Sequence, residues 1–129
     1  MKRLYLIGLI FFFAANITAE NTDFFGARVE NVAKGGTTVL GHYPQYTKLA
    51  TQMGARHFNV PTNIWNKMTP AQQWTANQKF LDRMILRGDN IRLATPLDLV
   101  RPGSFYQMEL NYLFGQGYRV SSNGLWLIR

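Results

Sequence analysis

A chain of 129 residues with 14 lysines and arginines, 7 acidic residues and no cysteine is small and basic, and it lacks thiol chemistry. Its length bounds it to one domain, and the missing cysteines exclude disulfide frameworks, cysteine nucleophiles and cysteine-ligated zinc. A basic surface suits nucleic acid, anionic lipid or an acidic partner; scattered charge, as here, equally suits plain solubility.

Lys2 and Arg3 precede an apolar run from Leu4 to Ala15, and Ile17-Thr18-Ala19 forms a small-residue cleavage pattern. That is a signal peptide over residues 1–19, cleaved near Ala19, so the protein is expected to be secreted or periplasmic. The run is short for a membrane span and Asn16 and Thr18 interrupt it, which disfavours an uncleaved anchor and leaves no stable membrane insertion after cleavage. Residues 20–36 mix Asn, Thr, Asp and Gly without apolar periodicity, the pattern of a linker or weakly ordered arm. Residues 37–129 then form a single α/β domain.

Thr37 to Leu40 is a short β-branched strand, and Gly41-His42-Tyr43-Pro44 turns it into a helix with Pro44 at the first position. Tyr46, Leu49, Ala50 and Met53 fall on one helical face, and Gly54 closes it. Arg56 to Val60 reads as a second strand stopped by Pro61, and Thr62 caps a short helix. The longest helix signal follows. Thr69 is its N-cap, Gln72 the capping-box partner, Pro70 its first residue and Gly88 its terminator. Ala71, Trp74, Phe80, Leu81, Met84 and Ile85 cover its apolar half. Asn90 to Thr95 is a third strand, Pro96 to Gly103 a polar loop, and Ser104 with Gln107 starts the last helix, lined by Tyr106, Leu110, Leu113 and Phe114. Tyr118 to Ser121 and Leu125 to Ile128 flank Asn123-Gly124, a strong hairpin signal. Strands alternating with helices predict a small three-layer α/β domain with a mainly parallel sheet and a C-terminal antiparallel hairpin at or near an edge.

In such a sheet ligands bind beyond the carboxyl ends of the strands, which selects the loops after Leu40, Val60 and Thr95. The first presents His42 and Tyr43, the second Thr62 and Asn63, the third Asp98, Arg101 and Ser104. His42 is the better placed histidine for acid or base chemistry, against the plainer reading of a surface histidine; His57 lies inside a strand. Asp98 and Arg101 either pair with each other, or Arg101 holds a phosphate beside the Ser104 hydroxyl and the amides of the following helix. Glu109 falls beside the apolar face of the last helix, where a solvated edge position competes with a catalytic carboxylate. Asn77 lies within the apolar arc of the long helix, as a buried amide or a ligand contact. Tyr43 and Asn63 complete the substrate-binding candidates, with His42 and Glu109 as the catalytic ones. Two histidines without matching carboxylates make no metal site. Trp65, Trp74, Tyr112 and Phe114 fit core-facing positions rather than a base-stacking platform.

The segments VLGHYPQY, ARHFNVPTNIWNKMTP, QWTANQKFLDRMILRGDNIRLATP and RPGSFYQMELNYLFGQGYRV resemble a C-terminal domain of bacterial polymorphic toxins of the filamentous-haemagglutinin and Rhs types, over nearly all of residues 37–129. The resemblance implies an exported effector with a cognate immunity protein as partner; it assigns no reaction and no active-site residue. In such toxins the domain ends a very long protein, whereas here it follows its own signal peptide. Joined to the basic charge and the His42 loop, it leads to the expectation of a metal-independent nuclease acting on RNA or DNA, without a bound cofactor. Two alternatives stand beside it: an NAD or nucleotide glycohydrolase using the same strand-end loops, though no GxGxxG is present, and a non-catalytic periplasmic binding module.

Overall fold

In chain order, a computed structural model that describes residues 35–129 contains β1 (Thr37–Leu40), α1 (Gln45–Met53), α2 (Thr62–Trp65), α3 (Pro70–Arg87), β2 (Asn90–Leu93), α4 (Phe105–Gly115), β3 (Arg119–Val120) and β4 (Trp126–Ile128). The expected signal peptide, and all of the expected linker but Gly35 and Gly36, lie outside the described residues. The domain is of the α/β kind, with a four-stranded mixed sheet in the order β1-β2-β4-β3.

The mainly parallel sheet is corrected. β1 and β2 run parallel, with Thr38 opposite Ile91 and Leu40 opposite Leu93, but β4 is antiparallel to both β2 and β3. The hairpin makes β3 and β4 antiparallel to each other, and its second strand, β4, lies along the free edge of β2 in the antiparallel sense as well. The strand expected over Arg56 to Val60 shrinks to one parallel bridge, Thr38 with Arg56. One of its groups shows why: the Phe58 carbonyl accepts from the Tyr46 hydroxyl and lies 3.0 Å from His57 Nδ1, so it is taken out of any ladder. The hairpin loop is also wider than two residues, because the Asn123 carboxamide accepts from the Leu125 N–H and meets the Ser121 hydroxyl.

α3 begins and ends as its punctuation requires. The Thr69 hydroxyl accepts from the Gln72 N–H, the Gln72 carbonyl accepts from the Thr69 N–H, and Gly88 closes the helix in the left-handed region. Its Leu81 and Met84 are fully buried against Ile91 and Leu93 of β2, Leu127 of β4 and Tyr106, Leu110 and Leu113 of α4. Each such side chain contributes roughly 1.5–3 kcal/mol by leaving water. At the opposite end of the sheet Asp89, its carboxylate fully buried, accepts from the Thr38 hydroxyl at 2.7 Å, from Arg87 Nη2 at 2.9 Å and from Arg56 Nη1 at 3.4 Å. That cluster joins the start of β1, the bridge at Arg56 and the entry to β2. Among the described residues no helix is long and apolar enough to cross a membrane.

Candidate active-site cleft

Because β1 and β2 are parallel, their carboxyl ends open on the same side, and there the chain forms a cleft of about 780 Å³. Its walls come from the loop after β1, the segment Phe58 to Thr62, α2, one turn of α3 and the start of α4. Of the residues singled out from sequence, His42, Tyr43, Arg101, Ser104 and Glu109 line it, and Asn77 and Thr62 join them. Asn63 and Asp98 do not line it; both are exposed.

The loop after β1 is held close to β2. The His42 N–H donates to the Thr95 hydroxyl at 2.9 Å, and the Ala94 N–H donates to the Leu40 carbonyl at 2.8 Å. Gly41 makes this approach feasible: a Cβ there would sit 3.0 Å from both the Ala94 Cβ and the Thr95 Oγ1. Gly41→Ala is therefore expected to destabilise the domain by roughly 1–3 kcal/mol, the scale of an overpacked site, read as a lowered urea midpoint. An unchanged midpoint would mean that the two strand ends separate without cost.

His42 is not a surface histidine. It is 4 % exposed, its ring meets Tyr106 edge-on at 5.1 Å, and its Nε2 accepts from the Arg101 backbone N–H at 3.0 Å. Burial and the nearby Arg101 charge push its pKa below the ordinary histidine value, against a smaller raising effect of the Leu99 backbone. With Nε2 accepting, the ring is neutral and its lone pair is already used. His42 thus positions the Arg101 loop.

Ser104 is likewise committed. Its hydroxyl caps α4 by accepting from the Gln107 N–H and donates to the Arg101 carbonyl at 2.6 Å. Arg101, by contrast, is exposed at the cleft and makes no ion pair with any described residue, so the expected Asp98–Arg101 pair is absent. The described ion pairs all fall on Asp89.

The solvated-edge reading of Glu109 is overturned. It is 6 % exposed and stands among Tyr106, Leu110 and Leu113 on the buried face of α4. Burial pushes its carboxyl up to about 8, against a lowering hydrogen bond from the Asn77 side chain, so it carries a proton at neutral pH. Asn77 is 2 % exposed, and its Oδ1 has no hydrogen-bond partner. A buried amide oxygen without a partner is costly unless something else meets it. Tyr106 donates its hydroxyl to the Thr95 carbonyl at 2.7 Å, and burial and Glu109 both raise its pKa, which keeps the phenol neutral.

Trp65, expected in the core, lines the cleft with Tyr43, Tyr46, Phe58, Phe105 and Tyr106. These rings brace one another: Trp65 meets Phe58 at 5.8 Å and Phe105 at 5.7 Å, and Tyr43 meets Tyr46 at 6.2 Å. Phe58, Tyr46, Trp65 and Phe105 escaped the sequence reading of the site, since their spacing is the same as that of core aromatics. Among the described residues no three of His, Asp and Glu gather as a metal-binding group. No protein-family model, no curated protein sequence and no solved structure matches this chain.

Proposed function

We propose that the domain is a glycohydrolase of nucleotides, exported as a toxin-like effector, in which Glu109 acts as general acid on the leaving base and Arg101 binds the phosphate. The observation that carries this reading is the pairing of a buried, protonated Glu109 with the partnerless Asn77 oxygen in an aromatic-walled cleft of about 780 Å³. Such a volume fits a small molecule rather than a polymer strand, and aromatic walls suit the faces of a base. A carboxylic acid that keeps its proton near pH 7 is suited to proton donation. The nuclease reading needs a histidine with a free acceptor nitrogen, and His42 Nε2 is held by Arg101. For the same reason the phosphate contact falls to the Arg101 guanidinium and not to the Ser104 hydroxyl.

The test incubates the purified full chain with nucleosides, nucleoside 5′-phosphates, NAD, total RNA and plasmid DNA, and follows free base by chromatography and strand length by gel. Free base from mononucleotides supports the reading; cleaved RNA or DNA with no free base overturns it. Arg101→Ala is expected to weaken binding of a 5′-phosphorylated nucleoside by roughly 1.5–3 kcal/mol, the scale of a charged hydrogen bond, measured by calorimetry. The unphosphorylated nucleoside and the thermal midpoint should barely respond. A lowered midpoint with unchanged affinity would assign Arg101 to the fold instead.

A further inference from the structure

We infer that the floor of the cleft reads the amino edge of adenine, with Asn77 Oδ1 accepting from the N6 amino group and the Glu109 carboxyl donating to N7, which makes adenosine 5′-phosphates the substrate class. The inference rests on the glycohydrolase reading for its chemistry, while its recognition half rests on the burial and placement of Asn77 and Glu109 in the cleft, with the raised Glu109 pKa beside them. Asn77 and Glu109 are both more than nine-tenths buried and both line the cleft. The Asn77 amide is engaged with the Glu109 carboxyl, while its oxygen is closed off from solvent and has no partner, so a ligand that parts the cleft floor at Asn77 meets one acceptor beside one acid proton. The complement of that pattern is a ligand edge with a donor beside an acceptor. Adenine has this edge at N6 and N7, where guanine and hypoxanthine place two acceptors, O6 and N7. An O6 facing Asn77 Oδ1 would leave two buried acceptors opposed, which such a site rejects.

The same contacts explain why the acid belongs at N7. In the reaction the C1′–N9 bond breaks and its electron pair goes to N9 of the leaving base. The Glu109 proton passes to N7, which draws charge out of the imidazole ring that is leaving. A water oxygen bonds to C1′, and a proton released from that water returns through solvent to the Glu109 carboxylate. Adenine and ribose 5-phosphate are the products, and water is the sole co-reactant. The aromatic walls hold the base faces, and Arg101 at the mouth meets the 5′-phosphate.

Equilibrium binding of AMP, IMP, GMP and 7-deaza-AMP to the wild-type full chain, followed by tryptophan fluorescence and calorimetry, tests recognition without any variant. AMP is expected to bind about 10- to 100-fold more tightly than IMP or GMP, the discrimination of one well-made bidentate pair. 7-Deaza-AMP, which keeps the amino group and lacks the N7 acceptor, should bind about 10-fold more weakly than AMP and release no base. Equal affinity for AMP and IMP, or tighter IMP, overturns the inference, and equal affinity for AMP and 7-deaza-AMP overturns the N7 contact. Asn77→Leu should equalise AMP and IMP; retained AMP preference in a folded Asn77→Leu also overturns it. The two readings fail separately: selective AMP binding without base release keeps the adenine site and removes the hydrolase, whereas equal base release from AMP and IMP keeps the hydrolase and removes the adenine site.

Discussion

Glu109→Gln is expected to make the domain more stable and inactive at once, with a stability gain that depends on pH. The carboxyl is held near 8 in the folded chain, against an ordinary value of 4.5. A raised folded-state pKa contributes stability that is complete below pH 4.5 and is lost as pH rises through 8, because the unfolded chain ionises first. Each pKa unit corresponds to about 1.36 kcal/mol, so Glu109 costs on the order of 3–5 kcal/mol at pH 8 and above relative to acid conditions. Glutamine has the same shape, keeps a donor and an acceptor beside Asn77, and never ionises. The difference in unfolding free energy between Glu109→Gln and wild type, from urea melts, should therefore be small at pH 4.5 and grow toward pH 8.5. Base release should fall by roughly 10²–10⁴, the usual weight of a positioned acid. A stability difference that stays flat between those pH values would show that Glu109 is ionised in the folded protein and would remove the general acid from the mechanism. Stability given up at a functional side chain is a common trade, and the opposite directions of the two readouts distinguish it from simple damage.

Much of this arrangement is legible in the sequence where local chemistry decides it. The α3 boundaries follow from Thr69, Pro70, Gln72 and Gly88, and the start of α4 from Ser104 and Gln107. The side on which the cleft opens follows from strand-end geometry, since β1 and β2 are parallel neighbours. What escapes the sequence is set by long-range packing. Whether β4 inserts beside β2 or stays outside depends on which edge is free, and nothing local to residues 126–128 encodes that. His42 looks like a loop histidine until the Arg101 amide, 59 positions away, takes its Nε2. Glu109 carried a readable signal that its charge masked: it lies three residues after Tyr106 and four before Leu113, squarely on the buried stripe. A glutamate at such a position is either a folding defect or a functional group, and the neighbouring Asn77, four residues before Leu81 on α3, occupies the corresponding place on its own helix.

Asp89→Ala is expected to be the most destabilising single substitution in the domain, although Asp89 does not line the cleft. Its carboxylate is fully buried and is the common acceptor for Arg87 Nε and Nη2, Arg56 Nη1 and the Thr38 hydroxyl. Removing it strands the Arg87 guanidinium, whose side chain is only 15 % exposed, without a counter-charge and leaves a buried hydroxyl without an acceptor. Breaking a buried pair in this way costs about 3–5 kcal/mol, mostly from the charge left behind, out of a total of roughly 5–15 kcal/mol for an ordinary domain. The thermal midpoint should fall by more than about 10 °C on that scale. Asp82 supplies the comparison. It also accepts a hydrogen bond, from the Tyr112 hydroxyl, but it is exposed, and Asp82→Ala should change stability by less than about 0.5 kcal/mol. Asp89→Asn is the finer probe, since it keeps one acceptor oxygen for Thr38, removes the charge and turns the other oxygen into a donor facing arginine; it should fall between the two. If Asp89→Ala and Asp82→Ala melt together, the buried cluster contributes nothing net, and the parallel pairing of β1 with β2 rests on its backbone ladder and the apolar contacts of Leu40, Ile91 and Leu93.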